Sequence, residues 1–355
     1  MKTIIRNTLK LAVALVVLLA VFGAGFGSSV AYAASCTPTV SLDLYAKTGT
    51  ATLYGTTTTP IWGYAANPGD PASLPGPVLE VNQGDCVGVT LINVDIPEYT
   101  SLLFQGQAAI PDTNGVPMGG DNSADPYTFV ADSAGTFLYE AGLIPNAQHQ
   151  VAMGMYGALI VRPATAGQAY ADSSTAFDSE SVVVLSELDP ALNDGGDPSG
   201  FDMRDYKPQY FLINGEAYPN TAPVAIGTGE NVLLRFVNAS LDSVMPTLGG
   251  GLYMDLIAED GNLYPSPKVQ SSTLLPAGKT LDAAVALPAG DWTYPIYDRM
   301  LDLTNANEPD GGLLAYLQAG TGSPIVPPST TGVDDNYTLN EDGQLNRGPD
   351  GGVLA

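Results

Sequence analysis

The chain has 355 residues, of which 37 are acidic and 12 basic, and its formal net charge is −25. So acidic a surface repels nucleic acid and anionic lipid, and we expect neither as a partner. The sequence contains one histidine and two cysteines, which excludes centres built from several imidazole ligands and leaves no recognisable histidine-based hydrolytic triad.

The N-terminus predicts a secretory signal peptide over residues 1–33. Three basic residues precede an apolar run over residues 11–22, and the Ala-Tyr-Ala at 31–33 fits a small-x-small cleavage site. This run is short for a membrane span, which needs roughly 20 apolar residues. A lipid anchor at Cys36 is disfavoured because the preceding residues lack the usual leucine. We therefore expect a secreted, periplasmic or cell-surface protein with no membrane span after signal removal.

Cys36 and Cys86 are the only cysteines, and both follow the predicted signal. In an oxidising compartment, two cysteines most simply form one disulfide. Closing a loop of this length stabilises a fold by about 4 kcal/mol in the chain-entropy view. Two free thiols, or a site for a soft metal, are the less favoured alternative because no histidine partners are present.

The residue pattern after the signal predicts an all-β protein. Short runs rich in β-branched and aromatic residues alternate with Gly, Pro, Asn and Asp, a spacing typical of Greek-key sandwiches or barrels. The 28 prolines and 40 glycines disfavour long helices. The predicted strands include residues 78–81, 87–92, 127–131, 136–139 and 158–161.

An internal repeat indicates two copies of one domain. Residues 81–93 align with residues 226–238, and in both a glycine and an acidic residue precede an alternating strand that ends in asparagine. The glycine supplies the positive φ of a tight turn. Two further segments of each half align in the same order. We expect domains over residues 34–163 and 180–320, joined by a small, polar linker over residues 164–179.

The C-terminal part differs in composition. The composition of residues 321–331 predicts a Pro-rich linker of the extended, semi-rigid kind. Residues 332–355 resemble the opening of tandem Ig-like or cadherin-like repeats of large bacterial surface proteins, with a DDNYTLNED start and a GVLA strand. This match is too short to bury a core, so we expect an incomplete Ig-like repeat or tail.

Several segments, taken in order, resemble the cupredoxin domains of multicopper oxidases. They are PGPVLEVNQGD (75–85), SLLFQGQ (101–107), QVAMGMYGALIV (150–161), LINGEAYP (212–219) and IAEDG (257–261). The resemblance covers about residues 75–317. It implies two tandem cupredoxin-like Greek-key β-sandwich domains, and it implies copper as the cofactor of the family.

The copper ligands of that family are paired His-x-His motifs, with a cysteine between histidines for blue copper, and every matching slot here is changed. The four slots, at residues 98–102, 139–142, 241–245 and 294–299, contain no histidine. We therefore expect no catalytic residues and no copper. The degenerate positions are candidates for lining a polar ligand cleft. They are Tyr139, Glu140, Asp242, Asp298 and Arg299.

Two further features suggest other sites. His149 precedes the most specific family segment, and we interpret it as a solvated or hydrogen-bonded loop residue. Asp194, Asp197 and Asp202 lie in a glycine-containing stretch and are candidate calcium ligands, since Ca²⁺ takes six to eight oxygens. The competing interpretation is a solvated turn.

These observations favour a secreted or cell-surface multicopper-oxidase-like protein that has lost its copper sites. Its role would be that of a non-catalytic structural or binding module, with a cell-surface, glycan or protein ligand. One alternative is a copper-dependent oxidoreductase of the family. A second alternative is a carbohydrate- or peptide-binding β-sandwich that uses the vacated region. The sequence leaves the oligomeric state open.

Overall fold

The computed structural model describes residues 36–320. The predicted signal peptide, Pro-rich linker and Ig-like tail lie outside this range and stay predictions. The regular secondary structure of the described part is almost entirely β-strand, arranged in four sheets.

The first two sheets come from the N-terminal half and form the first sandwich. One sheet has the order β2-β1-β4-β6, with β7 also paired to β4, and the other has the order β3-β9-β8-β5. The strands are β1 (Val40–Tyr54), β2 (Thr57–Ala65), β3 (Leu79–Asn82), β4 (Cys86–Asn93), β5 (Leu102–Phe104), β6 (Gly120–Asp121), β7 (Tyr127–Val130), β8 (Gly135–Ala141) and β9 (Tyr156–Arg162).

The other two sheets form the second sandwich. Their orders are β11-β10-β13-β17-β15-β16 and β12-β19-β18-β14. The strands are β10 (Ser179–Leu188), β11 (Tyr210–Ile213), β12 (Val224–Ile226), β13 (Asn231–Asn238), β14 (Pro246–Leu248), β15 (Met254–Glu259), β16 (Asn262–Gln270), β17 (Thr280–Ala286), β18 (Trp292–Asp298) and β19 (Leu314–Ala319).

The two sandwiches share one topology, as the internal repeat predicts. In each, the long first strand pairs in parallel with the repeat strand, β1 with β4 and β10 with β13. A second parallel pair, β3 with β9 and β12 with β19, recurs in the facing sheet. The turns before the repeat strands contain Gly84 and Gly229 at φ 93° and 70°, which confirms the predicted positive φ. The fold is two tandem cupredoxin-like sandwiches.

Within residues 36–320, helices are few and short, in agreement with the proline and glycine content. The longest, α1 (Ala147–Ala152), precedes β9. The others are α2 (Pro190–Asn193) and three 3₁₀ turns, Ser173–Thr175, Pro198–Gly200 and Met203–Asp205. No helix among residues 36–320 is both long and apolar enough to cross a membrane.

A buried ionic junction joins the two sandwiches. Arg235 of β13 is fully buried, and its guanidinium contacts Glu180 at 2.8 Å, Asp282 at 3.3 Å and the Thr136 hydroxyl at 3.0 Å. Thr136 belongs to β8 of the first sandwich and also donates to the Asp282 carboxylate at 2.6 Å. Tyr170, from the segment between the sandwiches, donates to the other oxygen of Asp282 at 2.6 Å. The charge of the buried Arg235 is therefore paired with two carboxylates, which avoids the large cost of burying an unpaired ion.

The predicted disulfide is confirmed. Cys36 and Cys86 are bonded, with their Cα atoms 6.0 Å apart. The bond joins the segment before β1 to the first residue of β4, and so fixes the start of the parallel β1–β4 pair.

Candidate functional site

The two slot positions on β8 face in opposite directions. Tyr139 is fully buried, and its ring lies beside those of Tyr64 and Phe104. Its hydroxyl donates to the Pro77 carbonyl at 2.7 Å, and burial raises its pKa. A Cβ on Gly157 would lie 2.4 Å from this hydroxyl oxygen, so the glycine makes room for the ring. Tyr139 is therefore part of the core.

Glu140, on the opposite face, is paired with an amide. Its carboxylate accepts a hydrogen bond from Gln105 Nε2 at 2.7 Å. Burial raises the pKa of Glu140, and the Gln105 bond lowers it in part. Glu140 thus forms a carboxylate–amide pair with Gln105.

In the second sandwich, Asp298 at the end of β18 forms a hydrogen bond with the loop between β13 and β14. It is buried, its Oδ1 accepts from the Met245 amide at 2.6 Å, and its Oδ2 accepts from the Asp302 amide at 3.2 Å. The Arg299 side chain is exposed, while its backbone amide donates to the Met245 carbonyl. Asp242 is exposed in the same loop.

Four acidic residues lie in or beside the loop that contains Asp242. Two of them, Glu187 and Asp302, were not identified from the sequence. Glu187, at the end of β10, is buried and accepts from the Leu241 amide at 3.1 Å. Burial and then the charge of Asp242 raise the pKa of Glu187 to about 7. Burial and then the charge of Asp298 raise the pKa of Asp302 to about 6. No local motif identifies Glu187 as a site residue, because it lies near the end of an ordinary β-strand.

The five predicted cleft positions therefore fall into two groups, Tyr139 with Glu140 and Asp242 with Asp298 and Arg299. Within residues 36–320, no hydrogen bond, ion pair or ring contact joins one group to the other. A single cleft shared by all five stays a prediction.

His149 was interpreted as a solvated or hydrogen-bonded loop residue; it is hydrogen-bonded, but it is neither solvated nor in a loop. His149 lies in α1 and is only 4% exposed. Its Nε2 is 2.8 and 3.0 Å from the two carboxylate oxygens of Glu98, and its ring meets the edge of Trp62 at a centroid distance of 5.7 Å. The partner carboxylate is 51 residues away, so nothing near His149 in the sequence signals the pair.

Gln150 completes this arrangement. Its Nε2 donates to the Glu98 carboxylate at 3.0 Å and to the Tyr99 carbonyl at 2.8 Å. The carboxylate of Glu98 thus has two side-chain partners from one short helix. Its side chain keeps 13% exposure and borders a cavity.

The cavity lies at one end of the first sandwich and has a volume of about 610 Å³, within the range of small-molecule sites. Three loops form it: the one between β4 and β5, the one between β5 and β6, and the one before α1. Its lining is mixed polar and apolar, and consists of Glu98, Tyr99, Thr113, Asn114, Ile144, Pro145 and Asn146.

The carboxylates of the three candidate calcium ligands each accept a hydrogen bond within the protein. Asp194 accepts from the Thr59 hydroxyl at 3.0 Å, and Asp197 accepts from the Ser199 amide at 3.0 Å. Asp202 accepts from the Arg204 amide and forms an ion pair with its guanidinium. In the described chain, no group of three or more His, Cys, Asp or Glu could hold a metal ion. Calcium binding stays an untested prediction.

Both sandwiches are similar to known proteins. Residues 46–166 and residues 187–322 each match a family model described as multicopper oxidase. The chain is 30% identical over 242 residues to the copper-containing nitrite reductase of Alcaligenes xylosoxydans xylosoxydans, covering 61% of this chain and 68% of that protein. It is 29% identical over 288 residues to laccase-7 of Oryza sativa subsp. japonica, covering 75% of this chain and 48% of the laccase.

The fold agrees with these matches. The structure of the blue copper oxidase from Nitrosomonas europaea superposes with a TM-score of 0.68 at 21% identity, covering 79% of this chain and 85% of that one. At this identity, the likeness concerns the fold. The chain spans about half the length of the rice laccase. On its sequence matches and its paired sandwiches, the chain belongs to the multicopper oxidase family.

Proposed function

We propose that this protein is a non-catalytic member of the multicopper oxidase family, and that it serves outside the cytoplasm as a structural or binding module. The proposal rests on one observation. The sequence has one imidazole and two sulfur atoms of cysteine, and all three are engaged: His149 with Glu98, and Cys36 with Cys86.

A blue-copper centre needs two histidines and one cysteine thiolate. A disulfide supplies no thiolate, and a second imidazole is absent from the sequence. The residues present therefore do not fit the copper group that the family implies. The Glu140–Gln105 pair and the Asp298 contacts support the same conclusion, because these slots hold oxygen and amide groups that bind one another.

An extracytoplasmic location is supported by the disulfide, since such bonds persist in oxidising compartments. Fractionation of the producing cells, followed by immunoblotting, tests this part of the proposal. Recovery of the protein in the cytoplasm with reduced cysteines would contradict it.

The metal question is settled by loading the purified full-length protein with copper, dialysing it, and measuring its metal content by mass spectrometry together with its electron paramagnetic resonance spectrum. We expect well under one copper per chain and no blue-copper signal. The Alcaligenes nitrite reductase, treated in parallel, is the positive control. The variant His149→Ala controls for copper bound adventitiously by the lone imidazole. One copper per chain with a visible or paramagnetic blue-copper signal would overturn the proposal.

A further inference from the structure

The cavity of about 610 Å³ beside Glu98 is a built site. Asn93 of β4 donates to the Glu98 carbonyl at 2.8 Å, while His149 and Gln150 hold its carboxylate. Both the backbone and the side chain of Glu98 are therefore fixed before any ligand arrives. Such preorganisation lowers the entropic cost of binding.

The other walls of the cavity are also fixed. The Asp112 carboxylate accepts from the amides of Asn114 and Gly115 at 2.8 and 3.1 Å, and from the Tyr127 hydroxyl at 3.1 Å. Thr100 and Val116 exchange two backbone hydrogen bonds, which join the Tyr99 wall to the loop that bears Asn114.

Polar groups of both kinds face this space. Glu98 accepts hydrogen bonds, while the amides of Asn114 and Asn146 and the hydroxyl of Thr113 both donate and accept. Asn146 is the N-cap residue of α1, yet its side chain makes no capping hydrogen bond and its φ is 74°. Asparagine tolerates this left-handed conformation, and its amide is not spent on the helix.

The apolar part of the lining is an aromatic ring with two aliphatic neighbours. Tyr99 is 58% exposed, and Ile144 and Pro145 lie across the same cavity. An exposed ring beside donors and acceptors suits a ligand with one apolar face and a polar edge. Pyranose rings have this character, since their C–H groups stack on aromatic faces and their hydroxyls make hydrogen bonds around the rim.

Charge and hydrogen bonding disfavour two ligand classes, anions and wholly apolar molecules. An anion would face the Glu98 carboxylate in a protein of net charge −25. A wholly apolar ligand would leave the amides of Asn114 and Asn146 desolvated without partners, at about 1–3 kcal/mol each.

We propose that this cavity binds a neutral oligosaccharide, with Tyr99 stacking on a sugar ring and with Glu98, Asn114 and Asn146 binding its hydroxyls. This inference rests on the proposed function, since it assigns the binding role of a copper-free module. It also places the ligand in the first sandwich, apart from the Glu140 and Asp298 slots.

The test is isothermal titration calorimetry of the full-length protein with four neutral hexasaccharides: cellohexaose, xylohexaose, mannohexaose and the hexamer of N-acetylglucosamine. We expect at least one to bind. Tyr99→Ala should weaken that binding about tenfold or more, as expected for the loss of an aromatic contact. Asn146→Gly should also weaken it, because glycine keeps the positive φ and removes only the amide. Tyr253→Ala, a similarly exposed tyrosine outside the cavity, should bind as the wild type does.

The proposal is overturned if none of the four sugars binds at millimolar concentration, or if Tyr99→Ala and Asn146→Gly both bind as tightly as Tyr253→Ala. Binding of the polycation spermine without binding of any neutral sugar would also overturn it, because the cavity would then select charge. Failure here differs from failure of the proposed function, which would appear as stoichiometric copper in the metal analysis. If the protein binds neither copper nor any of the four sugars, the oligosaccharide proposal is refuted and the proposed function is not.

Discussion

Asn93 and Asn238 occupy the same position in the two sandwiches, and their side chains make the same three hydrogen bonds. Asn93 donates to the carbonyls of Glu98 and Val116 and accepts from the Ile96 amide. Asn238 donates to the carbonyls of Asp242 and Leu275 and accepts from the Ser240 amide. In both sandwiches, this asparagine thus fixes the loop that follows the repeat strand.

Replacing either asparagine by alanine should destabilise the protein strongly. Each change leaves three backbone groups of a tight loop without their partner, and one buried unsatisfied group costs about 1–3 kcal/mol. We expect a loss of about 3 kcal/mol in the free energy of unfolding for Asn93→Ala and a similar loss for Asn238→Ala, measured by urea denaturation. Asn262→Ala is the control, since Asn262 is exposed and makes one bond to the Asp260 carbonyl. Equal effects of all three changes would show that the buried bonds contribute little.

The strands, the repeat and the disulfide were predictable because their determinants are local or unique. Strand β4 alternates apolar residues after a Gly-Asp turn, and the same pattern recurs in β13, so one observation predicts both. With only two cysteines in the sequence, an oxidising compartment leaves one pairing. These features need no knowledge of which distant residues meet.

The His149–Glu98 pair and the buried Arg235 junction were not predictable from the sequence, because their partners are distant along the chain. His149 was misplaced at the surface because its partner Glu98 comes from a loop 51 residues earlier. Arg235 lies on an alternating strand, and arginine is rarely fully buried without a partner. Its burial depends on Glu180 and Asp282, which come from the two strands on either side of β13. Such long-range pairs leave no periodic signal in the sequence.

Breaking the buried junction should cost more than breaking an exposed ion pair. Arg235→Met leaves the buried Asp282 carboxylate without its cation, and losses of this kind are about 3–5 kcal/mol. Arg204→Met is the matched control, because Arg204 pairs with Asp202 at the surface, where solvent screening leaves an ion pair with little effect on stability. Thermal unfolding of both variants checks the difference. A smaller loss for Arg235→Met than for Arg204→Met would contradict the assignment of the junction as a stabilising contact.

Reduction of the disulfide should lower stability without changing the fold. The bond closes a loop of 50 residues, for which the chain-entropy relation gives about 4 kcal/mol. Melting temperatures with and without dithiothreitol, after verification of free thiols, measure the effect. The double variant Cys36→Ser/Cys86→Ser should melt at the temperature of the reduced protein and be insensitive to the reductant. A reductant effect that persists in the double variant would have another cause.

Stability should fall as the pH rises through the titration of Glu187. Its ordinary pKa is 4.5, and burial together with the charge of Asp242 raises the folded-state pKa to about 7. Between these values the folded protein binds more protons than the unfolded chain, so the free energy of unfolding declines with rising pH. Below about pH 4.5 the carboxyl of Glu187 is protonated in both the folded and the unfolded state, so it does not affect how stability changes with pH. Above about 7 the full penalty, at most about 3 kcal/mol, is in place.

Glu187→Gln removes the charge while keeping an oxygen that accepts from the Leu241 amide. The variant should therefore unfold at the same urea concentration as the wild type at pH 4, and at a higher one at pH 8. Glu308→Gln, at an exposed position, should follow the wild type at both values. If Glu187→Gln were less stable than the wild type at pH 8, the ionised carboxylate would be stabilising the loop that contains Asp242. The inferred cost of its burial would then be wrong.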